Sequence, residues 1–273
     1  DITFEIIVID NASYDDSKSH FENDSRINYI YNSSNLGFGM ANNIGIEIAQ
    51  GRNILLLNPD TLLLNNAVKI LSDYLDQHLH VGCCGGNLYD AELNPVHSYS
   101  MMLPSVLWEL NLLFANKIEK IRWGKNAQFN HTHIPRKVGY ICGADMMLRH
   151  NVLKQIGAFS EHFFMYYEDT ELSYRIKQSG YEILSIPEAK IQHLVGKSMG
   201  GKNFNAARVK FIEAGLSTFY ALHARGVEKK IIRHMRLLRL KVKHLIYRGR
   251  FKHDLYQACK IIIKNDKVFY NPN

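Results

Sequence analysis

The chain has 273 residues, of which 46% are hydrophobic and 22% charged, enough to bury a substantial core and to exclude a disordered polymer. No run reaches the roughly 18 apolar residues of a membrane-spanning helix, no leader peptide is visible, and the four cysteines form no CxxC pair, which argues against a disulfide framework and for a reducing compartment. The net charge of +7 is uneven: residues 225–252 carry +10 and the remainder −3, so a mildly acidic body precedes a strongly basic tail.

Glu5 to Asp10 (EIIVID) is a continuous apolar run closed by an acid, the pattern of a central parallel strand covered on both faces. Ile27 to Tyr31 predicts a second strand. Gly37 to Gln50 predicts a helix with Phe38, Ala41, Ile44 and Ile48 on one face and Gly51 past its end. Asn53 to Leu57 is another buried strand, halted by Asn58-Pro59-Asp60; Asn66 to Leu79 reads as a helix and Val81 to Leu88 as a strand. Residues 98–137 show no clear period. Val138 to Leu148 reads as a strand, Glu168 to Gln178 as a helix closed by Gly180, and two short strands flank Pro187; from Asn203 onward the chain is helical. The alternation predicts an α/β body over residues 1–202 with a mostly parallel central sheet, and a basic helical extension over 203–273. In such sheets ligands bind beyond the carboxyl ends of the strands, and Asp10 and Asp60 both stand there.

Four groups of residues have a chemical reading beside a plain structural one. Asp60, after a proline-fixed turn, can offer oxygen to Mg²⁺ or Mn²⁺ and so to a diphosphate; Asn, Pro and Asp are also ordinary turn formers. Glu168 and Asp169 follow the aromatic run Phe163 to Tyr167, whose bulk suits a general base; acids in a first helical turn also complement the helix dipole. His193 ends the last apolar strand, where a histidine is either structural or a ligand. Asn35-Leu-Gly37-Phe-Gly39 opens a helix and can bring N–H groups near phosphate; it lacks the full GxGxxG pattern, which disfavours a nicotinamide or flavin site.

In order, EIIVIDNAS (5–13), NLGFGMANNIGI (35–46), LLLNPD (55–60), GAFSEHFFMYYEDTELSYR (157–175) and HLVGKS (193–198) resemble the GT2 family of glycosyltransferases, in its rhamnosyltransferase-like branch of bacterial surface-polysaccharide pathways. The resemblance covers residues 4 to 200 and implies a Rossmann-like GT-A fold. It also implies inverting transfer from a UDP- or dTDP-linked sugar to a hydroxyl of a glycan or lipid-linked acceptor. It implies a nucleotide-sugar site formed by Asp10, Asn11, Asn35, Gly37, Asn42 and Asn58, with Gly143 and Asp145 lining it toward the acceptor. Asp60 would be the retained acid of a DxD-type metal motif, with His193 completing the shell around Mn²⁺ or Mg²⁺. Asp169 would be the base, supported by Glu168. Three departures stand out. Asn58 replaces the first acid of the metal motif, and Asn42 stands where many relatives have Arg. The first βα unit of such domains is absent, which leaves a second reading: a truncated, non-catalytic remnant that binds a partner or a membrane.

In the tail, Ile231, Met235, Leu238, Val242 and Leu245 recur at helical spacing among Lys230, Arg233, Arg236, Arg239, Lys241 and Lys243. Such a helix either lies on an anionic membrane surface or packs its apolar stripe on the body. The expectation is a cytoplasmic protein, peripheral on the membrane face through Arg225 to Lys252. No nucleic-acid module accompanies the charge. A glycoside hydrolase fits poorly, because adjacent Glu168 and Asp169 cannot flank a bond at the ~5–9.5 Å such enzymes need.

Overall fold

The computed structural model describes residues 2–194, 206–246 and 250–265. The opening apolar run forms β1 (Ile6–Asp10), followed by α1 (Ser17–Phe21), β2 (Ile27–Tyr31) and α2 (Phe38–Ile48). β1 and β2 pair in parallel from Ile6 opposite Ile27 to Asp10 opposite Tyr31, so Asp10 is the last paired residue of its strand. Next come β3 (Asn53–Leu57), β4 (Thr61–Leu63), α3 (Ala67–Gln77) and β5 (Val81–Tyr89).

Residues 98–137, which show no sequence period, hold β6 (Tyr99–Ser100), α4 (Val106–Leu113), α5 (Lys117–Trp123) and β7 (Arg136–Lys137). The signal for α4 is local: Ser105, after Pro104, accepts a hydrogen bond from the Trp108 N–H in N-cap fashion, while apolar residues all around the helix hide its periodicity. The strand expected from Val138 to Leu148 is broken into β8 (Tyr140–Ile141) and β9 (Asp145–Arg149), before α6 (His150–Ile156) and α7 (Glu168–Gln178). The two short strands around Pro187 are one strand, β10 (Glu182–His193), carrying a bulge between Ser185 and Lys190. Three helices follow: α8 (Ala206–His223), α9 (Gly226–Ile246) and α10 (Arg250–Asn265). Residues 195–198 of the HLVGKS stretch, the 202/203 boundary and residues 247–249 of the basic tail lie outside the described residues.

The main sheet runs β3-β9-β5-β10-β4, with β7 also on β10. It is mixed: β5 and β10 are parallel, while β9 inserts antiparallel between β3 and β5. Period-two geometry explains the apolar strands. Cys83 and Leu148 face Val152 and Leu153 of α6 and Leu172 and Ile176 of α7, whereas their neighbours Cys84 and Met147 face Ala67, Leu71 and Leu75 of α3. Both faces are covered, so neither can be polar.

The C-terminal helices join this body at Phe163, which packs with Leu216, Phe219 and Tyr220 of α8 and Ile232 of α9. Beside that cluster lies a buried group of four charges. Glu213 receives Arg236 Nη2 at 2.9 Å and Arg239 Nη1 at 3.0 Å. Glu109 of α4 takes Arg239 Nε at 3.4 Å and the Tyr220 hydroxyl at 3.0 Å. Burial pushes both carboxyls up; at Glu213 the two close guanidiniums reverse this and hold it at about 2, while Glu109, with longer contacts, stays raised.

This pairing corrects the sequence reading of the tail. Arg236 and Arg239, which belong to an exposed basic face in that reading, are buried in α9, and the solvent side instead shows Val227 (71% exposed), Ile231, Leu238 (50%) and Leu245 (70%). Glu109 and Glu213 are the reason, because only a buried counter-charge allows a guanidinium to turn inward. Replacing Glu213 with Ala leaves two buried cations sharing one carboxyl, Glu109, at 3.4 and 3.9 Å. Equilibrium urea unfolding of Glu213→Ala is expected to show a loss of about 3–5 kcal/mol, the cost typical of breaking a buried pair.

Candidate functional site

Three clusters of side chains stand out, one at the end of the separate β1–β2 pair, one at strand ends of the main sheet and one at the start of α7. The first is built on the end of β1. Asp10 is 5% exposed and accepts hydrogen bonds from the Tyr29 hydroxyl and, at 2.8 Å, from the Ser13 N–H. Burial pushes this carboxyl up, but those two donors outweigh it and hold it below the ordinary range, so it stands ionised at the rim. Asn11 then acts as a hub: its amide donates to Asn35 Oδ1 at 2.9 Å and its oxygen accepts from Leu36 N–H at 3.0 Å. Asn35 Oδ1 in turn accepts from Gly37 N–H at 2.9 Å.

Gly37 has a structural requirement of its own. Its φ is +83°, and a Cβ there would stand 2.3 Å from the Phe164 carbonyl oxygen, to which Phe38 N–H donates at 3.0 Å. The polar groups of Asn11, Asn35 and Gly37 are thus brought together as expected, largely bonded to one another. Asn42 donates to Phe38 O at 2.8 Å, one turn back in α2, so its amide is turned onto its own helix.

The second cluster lies at the ends of β3 and β10. His193 Nε2 is 3.2 Å from Asp60 Oδ1 and 3.3 Å from Asn58 Nδ2, and the two strand ends are tied by Leu194 N–H to Asp60 O at 2.9 Å. Asp60 and His193, 133 residues apart in the chain, are neighbours only through the fold, since β4 returns antiparallel along β10 with Thr61 opposite His193. A carboxylate oxygen and an imidazole nitrogen fit Mn²⁺ or Mg²⁺ held mainly by oxygens from elsewhere; among the described residues no third His, Cys, Asp or Glu joins them.

The third cluster is the start of α7. Asp169 accepts from Gly143 N–H at 3.1 Å through one oxygen and from Thr170 N–H at 2.6 Å through the other, and it keeps partial access to solvent. Glu168 is 6% exposed and one of its oxygens has no partner. Burial raises both carboxyls, and at Glu168 the neighbouring Asp169 charge adds to the rise. The pair therefore favours one proton between them, with Asp169 the better-solvated and better-bonded anion.

What precedes the pair is unusual. Tyr166 and Tyr167 both have left-handed backbones, φ +68° and +72°. The segment is gripped from two sides: by Gly37 at Phe164, and by Gly215 of α8, where a Cβ would meet the Tyr166 carbonyl oxygen at 2.3 Å. Asn43 adds a reciprocal pair to Phe159, with N–H to Oδ1 at 2.9 Å and Nδ2 to O at 2.8 Å. Sequence reading missed Asn43 and Gly215. A glycine inside a helical stretch was the available signal for the second, since it usually marks close packing; for Asn43 there was none.

Two consecutive residues join the clusters. Gly143 donates its N–H to Asp169, and Ala144 accepts through its carbonyl from Asn58 N–H at 3.2 Å. A Cβ on Gly143 would lie 3.1 Å from the Phe38 ring, so the loop from the β1 side meets the same point. Asp145 departs from expectation. It is fully buried, with Oδ2 accepting from Gly86 N–H at 2.6 Å and burial driving its carboxyl far up, so it is sealed between β5 and β9 and offers nothing to a ligand at the rim.

Comparison with known proteins agrees with this geometry. A family model, Glycosyl transferase family 2, matches residues 1–157. The low-salt glycan biosynthesis hexosyltransferase Agl10 of Haloferax volcanii is 27% identical over 183 residues, 66% of this chain and 55% of its own length. The N-acetylglucosaminyl-diphospho-decaprenol L-rhamnosyltransferase of Mycobacterium tuberculosis is 23% identical over 219 residues, 71% of this chain and 68% of its own. Among solved structures, GalNAc-T7 with UDP, GalNAc and Mn²⁺ superposes with a TM-score of 0.59 at 13% identity, over 96% of this chain and 48% of that one, a likeness of fold. This chain thus spans only about half the length of some proteins it matches.

The raised pKa of Glu168 gives a test of the third cluster. A carboxyl whose folded pKa lies above its unfolded one favours folding while protonated and loses that contribution as pH rises through the folded value. Glu168→Gln removes the loss. Thermal midpoints of variant and wild type should coincide near pH 4.5, and the variant should gain progressively toward pH 8, by about 2–4 °C for each kcal/mol relieved. A constant gap across that range would mean that Glu168 ionises as freely as in water.

Proposed function

The chain belongs to glycosyl transferase family 2, and on that premise we propose that it moves a sugar from a nucleoside-diphosphate donor to a hydroxyl of a glycan or lipid-linked acceptor, with inversion at the anomeric carbon. The observation that carries this reading is the Gly143–Ala144 link, which ties the base candidate Asp169 to the Asn58–Asp60–His193 cluster through adjacent peptide units, about 3.8 Å apart at their Cα atoms.

In this reading Asp10 and Asn11 hold the nucleoside end of the donor, and Asp60 and His193 hold the divalent cation. The cation supplies neutralising charge for the leaving diphosphate. The carboxylate of Asp169 takes the proton of the acceptor hydroxyl while that oxygen bonds to the anomeric carbon and the carbon–oxygen bond to the diphosphate breaks. One displacement without a covalent intermediate inverts the configuration. Glu168, kept neutral by burial, lets Asp169 carry the single charge of the pair. The relatives named for hexosyl and rhamnosyl transfer support a hexosyl or rhamnosyl donor and a role in glycan synthesis, and one named a dTDP-rhamnosyl transferase, of Shigella flexneri, supports a dTDP-linked donor.

Asp169→Asn is expected to lower kcat by about 10²–10⁴-fold with little change in donor KM, the range for loss of a general base. In the same proteins, UDP or dTDP with Mn²⁺ should raise the thermal midpoint of wild type and of Asp169→Asn, but not of Asp60→Asn. No nucleotide-dependent shift in any of them would favour the non-catalytic reading.

The tail supports a location at the cytoplasmic face of a membrane. The described cysteines are all free, as in a reducing compartment, and no described helix is long and apolar enough to cross a bilayer. α9 exposes Val227, Ile231, Leu238 and Leu245 along one stripe with Lys230 and Lys241 at its borders, the arrangement of a helix lying in a lipid interface. Co-sedimentation with vesicles containing phosphatidylglycerol should be strong for wild type and several-fold weaker for Leu238→Asp. Equal sedimentation of both would remove α9 as the docking surface.

A further inference from the structure

A cavity of about 550 Å³ lies on the outer edge of the sheet, apart from the three clusters at the rim. Its origin is the bulge in β10. That strand is paired on its outer edge with β7 at Leu184 and Ser185 and with β4 from Ile191 to His193, and the residues between them bow away. Pro187, which lacks an N–H, sits in the bowed stretch, and Glu188 and Lys190 are lifted outward, both exposed.

The walls are fixed by amides. Asn65 donates to Glu188 O at 2.6 Å and accepts from Lys190 N–H at 3.1 Å, which pins the bulge. Asn87 pairs with the Asn130 backbone in both directions, at 2.9 and 3.3 Å, and Asn130 closes its own loop through Thr132 and Ile134. Phe129, held by that loop, stands edge-on to Tyr89 at 5.4 Å and is covered by His131 at 4.7 Å. With the amides engaged in the frame, the lining residues that carry ionisable side chains besides Tyr89 are Glu188, Lys190, His131 and His133. Neither Glu188 nor Lys190 forms an ion pair among the described residues.

A wall of Tyr89 and His131 over the buried Phe129, with one carboxylate and one ammonium among the lining residues, matches the surface of a pyranose, which is apolar on its C–H faces and hydroxylated at its edge. A phosphate or nucleotide fits less well, because the Glu188 carboxylate stands beside the single lysine. The cavity lies near the Asp60 cluster: Asn65 stands two residues past the end of β4 and five after Asp60, so the two are at most roughly 17 Å apart at about 3.4 Å per residue.

We propose that this cavity is a distal saccharide subsite, in which Glu188 and Lys190 bind a sugar unit of the acceptor glycan remote from the hydroxyl that is glycosylated. The assignment to the acceptor rests on the transferase reading; the binding itself does not. Saturation-transfer NMR on the whole chain, without nucleotide or metal, tests it with the methyl glycosides of rhamnose, mannose, galactose, glucose and N-acetylglucosamine. At least one glycoside should receive saturation from wild type and equally from Asp169→Asn, with its Kd weakened about tenfold or more in Glu188→Gln and in Lys190→Ala. These are exposed positions, and unchanged thermal midpoints would confirm their folding. Absence of transfer to every glycoside, or binding lost in Asp169→Asn and kept in the Glu188 and Lys190 variants, overturns the subsite. A failure of the transferase reading would show instead in the nucleotide thermal shift, which this experiment does not use.

Discussion

Everything at the rim depends on the clamp that holds Tyr166 and Tyr167 in left-handed backbone. Such a conformation costs on the order of 1–3 kcal/mol per residue and persists only where the surroundings impose it. Here Gly37 and Gly215 allow two segments distant in sequence to close on the turn, and Asn43 fixes its approach through Phe159. The turn then delivers Glu168 and Asp169 at the start of α7, one buried and one reachable, close enough for the Asp169 charge to add to the burial that raises Glu168. Asn35 and Gly37 are thereby drawn into positioning the acid pair, in addition to any contact with a donor.

The C-terminal helices are part of this clamp. Gly215 lies two residues from Glu213, which anchors Arg236 and Arg239, so the helix that grips Tyr166 is itself held by the buried charge cluster. The same cluster decides which side of α9 faces outward. Two buried guanidiniums require two carboxylates nearby, and Glu109 comes from α4, a helix more than a hundred residues earlier. The exposed apolar stripe of Val227, Ile231, Leu238 and Leu245 follows from this inversion.

The bulge in β10 has a comparable effect at the other edge. Without it, β7 and β4 would extend toward each other along one strand and leave no room at the outer edge. With it, the strand continues to His193 beside Asp60 and opens a polar cavity on the way. β10 thus carries both His193, beside Asp60, and one wall of the cavity.

The order of strands and helices was legible in the sequence because apolar runs and helical periodicity report burial directly: β1, β2, β3, β5 and α7 lie where the pattern puts them. Asp10, Asp60, Asp169 and His193 were singled out through the five ordered motifs; the fold sets His193 against Asp60 and links Asp169 to Asn58 through Gly143 and Ala144. Residues 98–137 were not legible, since the two polar residues of α4, Glu109 and Asn111, are both buried and mark no outward face, and the other elements there are short. Three matters were decided by tertiary structure alone. Asp145 is sealed by Gly86, Arg236 and Arg239 turn inward, and Tyr166–Tyr167 are forced into strained backbone by glycines far along the chain. Each depends on a partner more than twenty residues away, and local periodicity carries no information about such partners.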